Sequence, residues 1–273
     1  MVKVLVRGAG DLASGVGYAF AKAGFQVLMT EIEAPTVIRR TVSFAEAVYE
    51  GQVEVEGIKG ILVTRDTYQD SIDYGKIGVI VDPAGLILKT FKPDVLVDGI
   101  LAKENVAGTR IQDAPIVLAL GPGFEAGLDC HRVIETKRGH YLGQVIESGR
   151  AIENTGIPGI VEGRGLERVL YSSVAGKVRH LRNIGDIVEE GECVAMVGDA
   201  CVPSPFRGVL RGLIREGMDV PARMKIGDVD PRLNQEYCFT ISEKAKAIGR
   251  GALEAALALG YEKRLFEVCY AER

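Results

Sequence analysis

No run of apolar residues in this 273-residue chain approaches the ~18–20 that a membrane-spanning helix requires, so none is expected. A cationic surplus is missing as well: 33 Lys and Arg stand against 37 Asp and Glu, the net charge is −4, and the basic residues are spread along the chain. That argues against nucleic acid and against an anionic membrane surface as the main partner. Histidine is scarce, with three in all, and the five cysteines (Cys130, Cys193, Cys201, Cys238, Cys269) form no CxxC. A Cys/His zinc site is therefore not expected, and no metal is assigned. An odd number of widely spaced cysteines reads as reduced thiols in a reducing compartment. The chain enters an apolar segment at Val2–Val6 with no secretory stretch before it, so a cytoplasmic protein is expected. Neither a Ser-Tyr-Lys nor a Cys-His catalytic set stands out.

What is present is an ordinary globular balance, 47% hydrophobic and 26% charged, able to bury a sizeable core. The first half alternates β-branched runs with helical stretches, the pattern of a mostly parallel α/β sheet. Strands are predicted at 2–7, 26–30, 58–64, 78–81, 95–98, 115–120 and 131–136. Continuous runs such as Val79-Ile80-Val81 and Val95-Leu96-Val97 suit strands covered on both faces. A helix is expected over 12–22, ended by Gly24.

Near residue 165 helical periodicity vanishes and glycine becomes frequent. Residues 176–199 align without gaps on 208–231, pairing Gly176 with Gly208, Arg179 with Arg211, Gly185 with Gly217 and Val188 with Val220. Two copies of a short all-β unit can bury their apolar faces against each other. Residues 242–259, rich in Ala, Lys, Glu and Leu, predict one last helix with Ser242 as N-cap and Gly260 as its stop. The expected division is a Rossmann-like dinucleotide-binding domain over 1–165, a β module over 166–235 and a helical segment over 236–273.

The clearest chemical motif is Gly8-Ala9-Gly10-Asp11-Leu12-Ala13, placed between a strand and a helix. Gly8 permits the tight turn, Gly10 lets a pyrophosphate approach the backbone, and Ala13 allows close helix–sheet contact. The helix N-terminus offers unpaired N–H groups to phosphate. Glu31, at the end of the second strand, stands where an acid accepts from ribose hydroxyls, favouring NAD (or FAD) over NADP. Asp11 is out of place in a phosphate loop unless it turns away, for instance to cap the helix. Arg39 and Arg40 can reach phosphate from a helical segment running to Tyr49, with Val42, Phe44, Ala45 and Val48 on its buried face. A second glycine loop, Gly121-Pro122-Gly123, also follows a strand and is assigned to the cofactor site. Glu135, Lys137, Arg138 and His140 form a polar cluster nearby. There His140 is the candidate general acid/base and Arg138 a phosphate or carboxylate clamp.

Two resemblances extend this reading. Ile184-Gly185-Asp186-Ile187-Val188-Glu189-Glu190-Gly191 and Val202-Pro203-Ser204-Pro205-Phe206-Arg207-Gly208-Val209-Leu210 resemble the biotinyl/lipoyl barrel-sandwich hybrid. The tip that would carry a modified lysine reads Gly198-Asp199-Ala200-Cys201, which argues for a docking or covering module and against a covalent carrier. Over nearly the whole chain, several strings recur in one order. They are Arg7-Gly8-Ala9-Gly10-Asp11-Leu12-Ala13-Ser14-Gly15, Thr30-Glu31, Arg39-Arg40-Thr41-Val42-Ser43-Phe44-Ala45-Glu46-Ala47-Val48-Tyr49, Gly121-Pro122-Gly123-Phe124, Val133-Ile134-Glu135-Thr136 with Arg138-Gly139-His140, and Ile226-Gly227-Asp228-Val229-Asp230-Pro231-Arg232. Together they resemble the bacterial accessory proteins of the selenium-dependent molybdenum hydroxylase system. The resemblance implies a maturation factor that partners molybdenum hydroxylase subunits and binds a dinucleotide or a molybdopterin-type cofactor. Homo-oligomerisation is compatible with it. Two other functions stay open at this point: a stand-alone NAD-dependent oxidoreductase of a small metabolite, and a non-catalytic scaffold docking a partner through the β module.

Overall fold

The computed structural model describes residues 1–73, 75–102, 104–153 and 159–266. Its first half is built on β1 (Lys3–Arg7), β2 (Gln26–Glu31), β3 (Gln52–Val55), β4 (Ile58–Val63), β5 (Lys76–Val81), β6 (Val95–Asp98) and β7 (Ile116–Leu120). The short β8 (Glu125–Ala126), β9 (Arg132–Ile134), β10 (Val145–Ile146) and β11 (Gly149–Arg150) follow. Nine of these make one sheet in the order β10-β9-β7-β6-β1-β2-β5-β4-β3. Pairing is parallel from β4 across to β9, while β3 and β10 close the two edges antiparallel. All seven expected strands lie within two residues of their predicted ends, β9 being shorter by one at its start and two at its finish. The edge strands were not anticipated, because β3 alternates polar and apolar residues and β10 is only two residues long, so neither has the apolar run that marks the centre.

Side-chain alternation explains why both faces are covered. Val4, Val6, Val27, Met29, Val95 and Val97 point to one face and pack against α1 (Asp11–Lys22) and the C-terminal helix, Glu243–Glu262. Leu5, Leu28, Leu96 and Val117 point to the other, beneath Tyr68, Ile72, Ile87 and Phe91. Phe20, Phe44 and Phe91 are fully buried, each contributing about 1.5–3 kcal/mol through the area it removes from water. The chain crosses from β5 on one side of β1 to β6 on the other, so a crevice opens at the carboxyl ends of β1 and β6.

The repeat is visible strand for strand. After β12 (Val169–Tyr171) come β13 (Gly176–His180), β14 (Ile187–Val188), β15 (Cys193–Val197) and β16 (Ala200–Pro203). The second copy gives β17 (Gly208–Leu213), β18 (Asp219–Val220) and β19 (Lys225–Asp230), each 32 residues beyond its counterpart. Two four-stranded antiparallel sheets result, β12-β19-β17-β14 and β16-β15-β13-β18. The copies exchange their short strands: β14 pairs with β17 and β18 pairs with β13. Val178, Val188, Val194, Leu210, Val220 and Ile226 share the core between the sheets. Gly185 and Gly217 turn with φ of 101° and 81°, as the pattern requires.

The last helix begins where predicted, with Ser242 Oγ accepting from the Ala245 N–H at 3.2 Å. It does not stop at Gly260. The helix runs on to Glu262, and Gly260 serves instead to admit the Phe266 ring, which a Cβ would strike. Residues 267–273, including Cys269, lie outside the described part.

Candidate functional site

The Gly8 loop is held from behind with unusual completeness. Gly8 takes φ of 87°, and its N–H donates to Thr30 O at 2.9 Å. The Ala9 carbonyl accepts three donors: Ser14 Oγ at 3.0 Å, Ser43 Oγ at 2.7 Å and the Ala45 N–H at 2.9 Å. Ser14 Oγ in turn accepts from the Phe44 N–H at 2.9 Å. The Ser43–Ala45 stretch thus clamps the glycine loop. It does so from two 3-10 turns, Arg40–Val42 and Phe44–Glu46, followed by the single helical turn Ala47–Glu50, where one longer helix was expected.

The front of the loop is left open. Gly10 is the N-cap of α1 with extended backbone and no side chain over the first turn. The N–H groups of Asp11, Leu12 and Ala13 consequently lack intrahelical acceptors, and all three residues line a cavity of about 400 Å³ at the crevice between β1 and β6. Ala13 abuts Gly99, where a Cβ on the glycine would come within 3.0 Å of the alanine methyl. Leu12, Ile32, Val37, Pro83 and Ile100 give the cavity apolar walls. Glu31 Oε2 accepts from the Ala9 N–H and Oε1 from the Ile32 N–H, each at 2.9 Å. Each oxygen keeps a lone pair for a further donor.

Beneath lie charged groups at the ends of the central strands. Arg7, the last residue of β1, is buried; its Nη1 donates to Ala107 O at 3.2 Å and to Thr109 Oγ1, while its Nε has no partner. Thr109 Oγ1 donates to Asp98 Oδ2 at 2.5 Å. Burial pushes the Asp98 carboxyl up, against the opposing pull of the Thr109 and Ile100 hydrogen bonds and of Arg7. Asp82, also lining the cavity, accepts from the Ile87 N–H at 2.7 Å and from Arg65 at 3.3 Å.

The other expected site residues separate into three groups. Asp11 does not cap α1; it pairs with Arg39 at 3.3 Å and is the first residue of the helix. Arg39 and Arg138 line a second cavity of about 570 Å³, which shares Asp11, Leu12 and Leu101 with the first. Gly121 and Gly123 shape a turn whose Pro122 lines that cavity; a Cβ on Gly121 would sit 2.5 Å from Thr136 Oγ1. Two residues turn out to be structural. Glu135 is buried and accepts from the N–H groups of Lys137 and Ile152 at 2.7 and 2.8 Å, stapling the loop that follows β9. Arg40 does not face phosphate: it donates to Leu213 O at 2.8 Å and pairs with Glu46 at 3.5 Å, fastening the β module to the large sheet. His140 stands exposed, edge-on to Tyr141, and lines neither cavity. Among the described residues, no three His, Cys, Asp or Glu side chains come together as a metal site. No described helix is long and apolar enough to cross a membrane.

The cysteines need one correction. Cys193 and Cys201 are not free thiols; they form a disulfide across the β15–β16 hairpin. Alternation had masked this, since the two lie eight residues apart and meet only once the hairpin folds. Cys130 and Cys238 are free and buried, and burial pushes their thiols up to about 12 and about 11. At pH 8 the thiolate fraction of Cys130 is on the order of 10⁻⁴, so iodoacetamide should leave both residues unmodified in the folded chain and label both in urea. Peptide mass spectrometry reads this directly, and rapid labelling of Cys130 in the folded chain would refute it. Because the folded state holds these protons more tightly, stability from this source is complete below about pH 8.5 and falls as pH rises toward the folded values.

No family model matches this chain. A relative in Escherichia coli K12, named uncharacterized protein YqeB, is 48% identical over 260 residues, covering 95% of this chain and 48% of its own length. The chain thus spans about half the length of the curated relative it matches. Among solved structures, an aspartoacylase family protein from Mesorhizobium loti aligns over 84% of both chains at 12% identity and a TM-score of 0.26. The ectoine utilization protein EutE (DoeB) from Ruegeria pomeroyi, in a product-bound form, aligns over 84% of this chain and 85% of its own at 9% identity and a TM-score of 0.25. Likeness of that order bears on neither fold nor chemistry.

Proposed function

We propose that this chain binds an adenine dinucleotide, NAD or FAD, in the Gly8-loop cavity, and that it acts as an accessory factor in the maturation of a selenium-dependent molybdenum hydroxylase. The observation that carries the binding reading is the open first turn of α1 at the crevice, with its glycine loop clamped from behind by Ser14 and Ser43. Such a turn presents N–H donors and a partial positive charge to a pyrophosphate. Ile32, Val37 and Pro83 offer an apolar slot for adenine, and the Glu31 carboxylate is placed for ribose hydroxyls. The sheet is read as Rossmann-like on its strand order and crevice, and the β module as barrel-sandwich-hybrid-like on its exchanged short strands.

NAD is favoured over NADP. Glu31 would face a 2′-phosphate, and the nearby arginines are engaged elsewhere, Arg39 on Asp11 and Arg40 on Leu213 O. A molybdopterin-type cofactor, whose phosphate the same helix N-terminus could hold, is the competing ligand. The maturation role rests on the whole-chain sequence resemblance. Bound nicotinamide or flavin would bring redox capacity; the residues of this chain bind and orient it.

Isothermal titration of the full chain with NAD, NADP, FAD and AMP tests the binding reading. Saturable NAD or FAD binding is expected, and Glu31→Gln should weaken NAD about tenfold, the loss of one charge-assisted hydrogen bond, while narrowing the preference over NADP. No binding of any of the four ligands would overturn it. Affinity capture from native lysate should recover a molybdenum hydroxylase subunit; unchanged hydroxylase activity in a deletion strain would remove the maturation role.

A further inference from the structure

The second cavity carries an inference of its own, independent of what occupies the first. It lies where four separate parts of the chain meet: the turn after β7, the loop after β9, the β12–β19 edge of the repeat module, and the N-terminus of the C-terminal helix. Arg39, Arg138, Arg168, Arg211, Lys225 and Lys244 line it, against the carboxylates of Asp11 and Glu153. In a chain of net charge −4, that concentration of cations in one hollow is a built feature.

The counter-ions do not use up this charge. Asp11 is taken by Arg39, and Glu243 by Arg138. Behind the wall, Asp228 pairs with Arg168 at 3.0 Å and with Arg211, and Asp230 pairs with Arg211 at 3.2 Å and with Arg232 at 2.6 Å. Three guanidiniums therefore share two carboxylates. Arg168 is only 7% exposed, and its Nε has no hydrogen-bond partner. A buried guanidinium with an unpaired N–H beside two further cations adds uncompensated positive charge to this wall.

Lys225 and Lys244 make no hydrogen bond or ion pair with any described residue. Lys225 is exposed and Lys244 is half-buried. Desolvation lowers both amines, and the neighbouring Arg211, Arg168 and Arg138 lower them further; Asp228 and Asp11 oppose this at Lys225, and Asp11 and Glu135 at Lys244. Two lysines held near guanidiniums, with no ion-pair partner among the described residues, favour the entry of an anion. Ser242 marks the N-terminal end of a 20-residue helix in the same wall, adding the favourable end of its dipole.

From this arrangement we infer that the second cavity is a phosphoryl-anion site, taking a di- or polyphosphate group on Lys225, Lys244 and Arg138, with the Arg168 guanidinium adding its charge from the wall. A positively charged nicotinamide ring would find no complement there. Two sources of the anion share this chemistry: the terminal phosphates of a nucleotide seated in the first cavity, reaching over the Asp11–Leu12 ridge common to both, or a separate phosphorylated molecule.

Inorganic pyrophosphate is the probe. Isothermal titration of the full chain should show saturable one-to-one binding, and the double variant Lys225→Gln/Lys244→Gln should weaken it about tenfold. Neither lysine has a partner among the described residues, so the fold should persist, and an unchanged melting temperature checks this. Lys89→Gln, a substitution at an exposed lysine away from the cavity, should bind as the parent does. Repeating the titration with saturating AMP separates the sources. Pyrophosphate bound alongside AMP supports a second molecule; in the other arm, a selective loss of ATP over AMP affinity in the double variant supports a nucleotide tail. Absence of saturable binding, or equal affinity in the parent and the double variant, overturns the site. Because NAD and AMP binding by the parent is measured in parallel, failure here is distinguishable from failure of the nucleotide reading.

Discussion

Gly10→Val should abolish nucleotide binding while leaving the chain folded. Gly10 sits at φ of −69° and ψ of −178°, an extended conformation open to any residue, so the substitution carries no backbone strain. Among the described residues beyond its chain neighbours, an added Cβ would meet only Val37 Cγ2 within 4 Å, at 3.8 Å, an ordinary contact. No cap is lost either, since Gly10 has no side chain over the first turn. The isopropyl group would instead project into the cavity across the N–H groups of Asp11, Leu12 and Ala13, the space a pyrophosphate needs. At least a hundredfold loss of NAD affinity is expected, about 2.8 kcal/mol, with the melting temperature within a few degrees of the parent. Calorimetry and a thermal melt on one preparation decide it. A folded variant that still binds NAD at parental affinity would show that the ligand does not use this helix terminus.

The distinction between what the sequence disclosed and what it hid follows the range of the interactions. Gly8, Gly10, Ala13 and Glu31 were legible because a strand, a tight turn and a helix N-terminus are local, and the acid falls at a fixed distance along a βαβ unit. The repeat was legible because its offset of 32 residues is a one-dimensional fact that the paired strands preserve. Ser43 was present in a recognisable string, yet its role as a clamp on the Ala9 carbonyl depends on a return of the chain 34 residues later. Glu135 and Arg138 read alike on paper as polar neighbours of a strand end. The fold separates them, burying Glu135 against two backbone N–H groups and turning Arg138 to the cavity. Arg168, Arg211, Lys225 and Lys244 could not be grouped at all from sequence. They come from a 3-10 turn, two strands of one sheet and a helix, and only the packing of the module against the large sheet assembles them.

The contact between α1 and the C-terminal helix yields the largest expected effect on stability. The two cross at Gly15 and Gly249, where a Cβ on Gly15 would fall 2.5 Å from Ala245 O and a Cβ on Gly249 would strike Gly15 O. Two residues on, Gly251 meets the Gly143 carbonyl in the same way. In a helix interior, Gly→Ala ordinarily stabilises by about 0.5–1 kcal/mol, because alanine has less freedom to lose on folding. Here the sign should reverse. The colliding atoms are backbone on both sides, so no rotamer change relieves them, and the helices must separate. Overpacking of that kind costs about 1–3 kcal/mol, and the gap it opens above Val16, Ala252 and Ile248 adds to it. Gly249→Ala is therefore expected to destabilise the chain by roughly 3 kcal/mol, lowering the melting temperature by about 6–12 °C at this size. Urea titration and a thermal melt measure it, and an unchanged or raised midpoint would mean that the helices do not cross this closely. Since α1 carries the glycine loop at its start, Gly249→Ala should also loosen nucleotide binding, but only as the fold itself gives way. Gly10→Val should lose the ligand with the fold intact, and the two variants together separate the site from the scaffold that aims it.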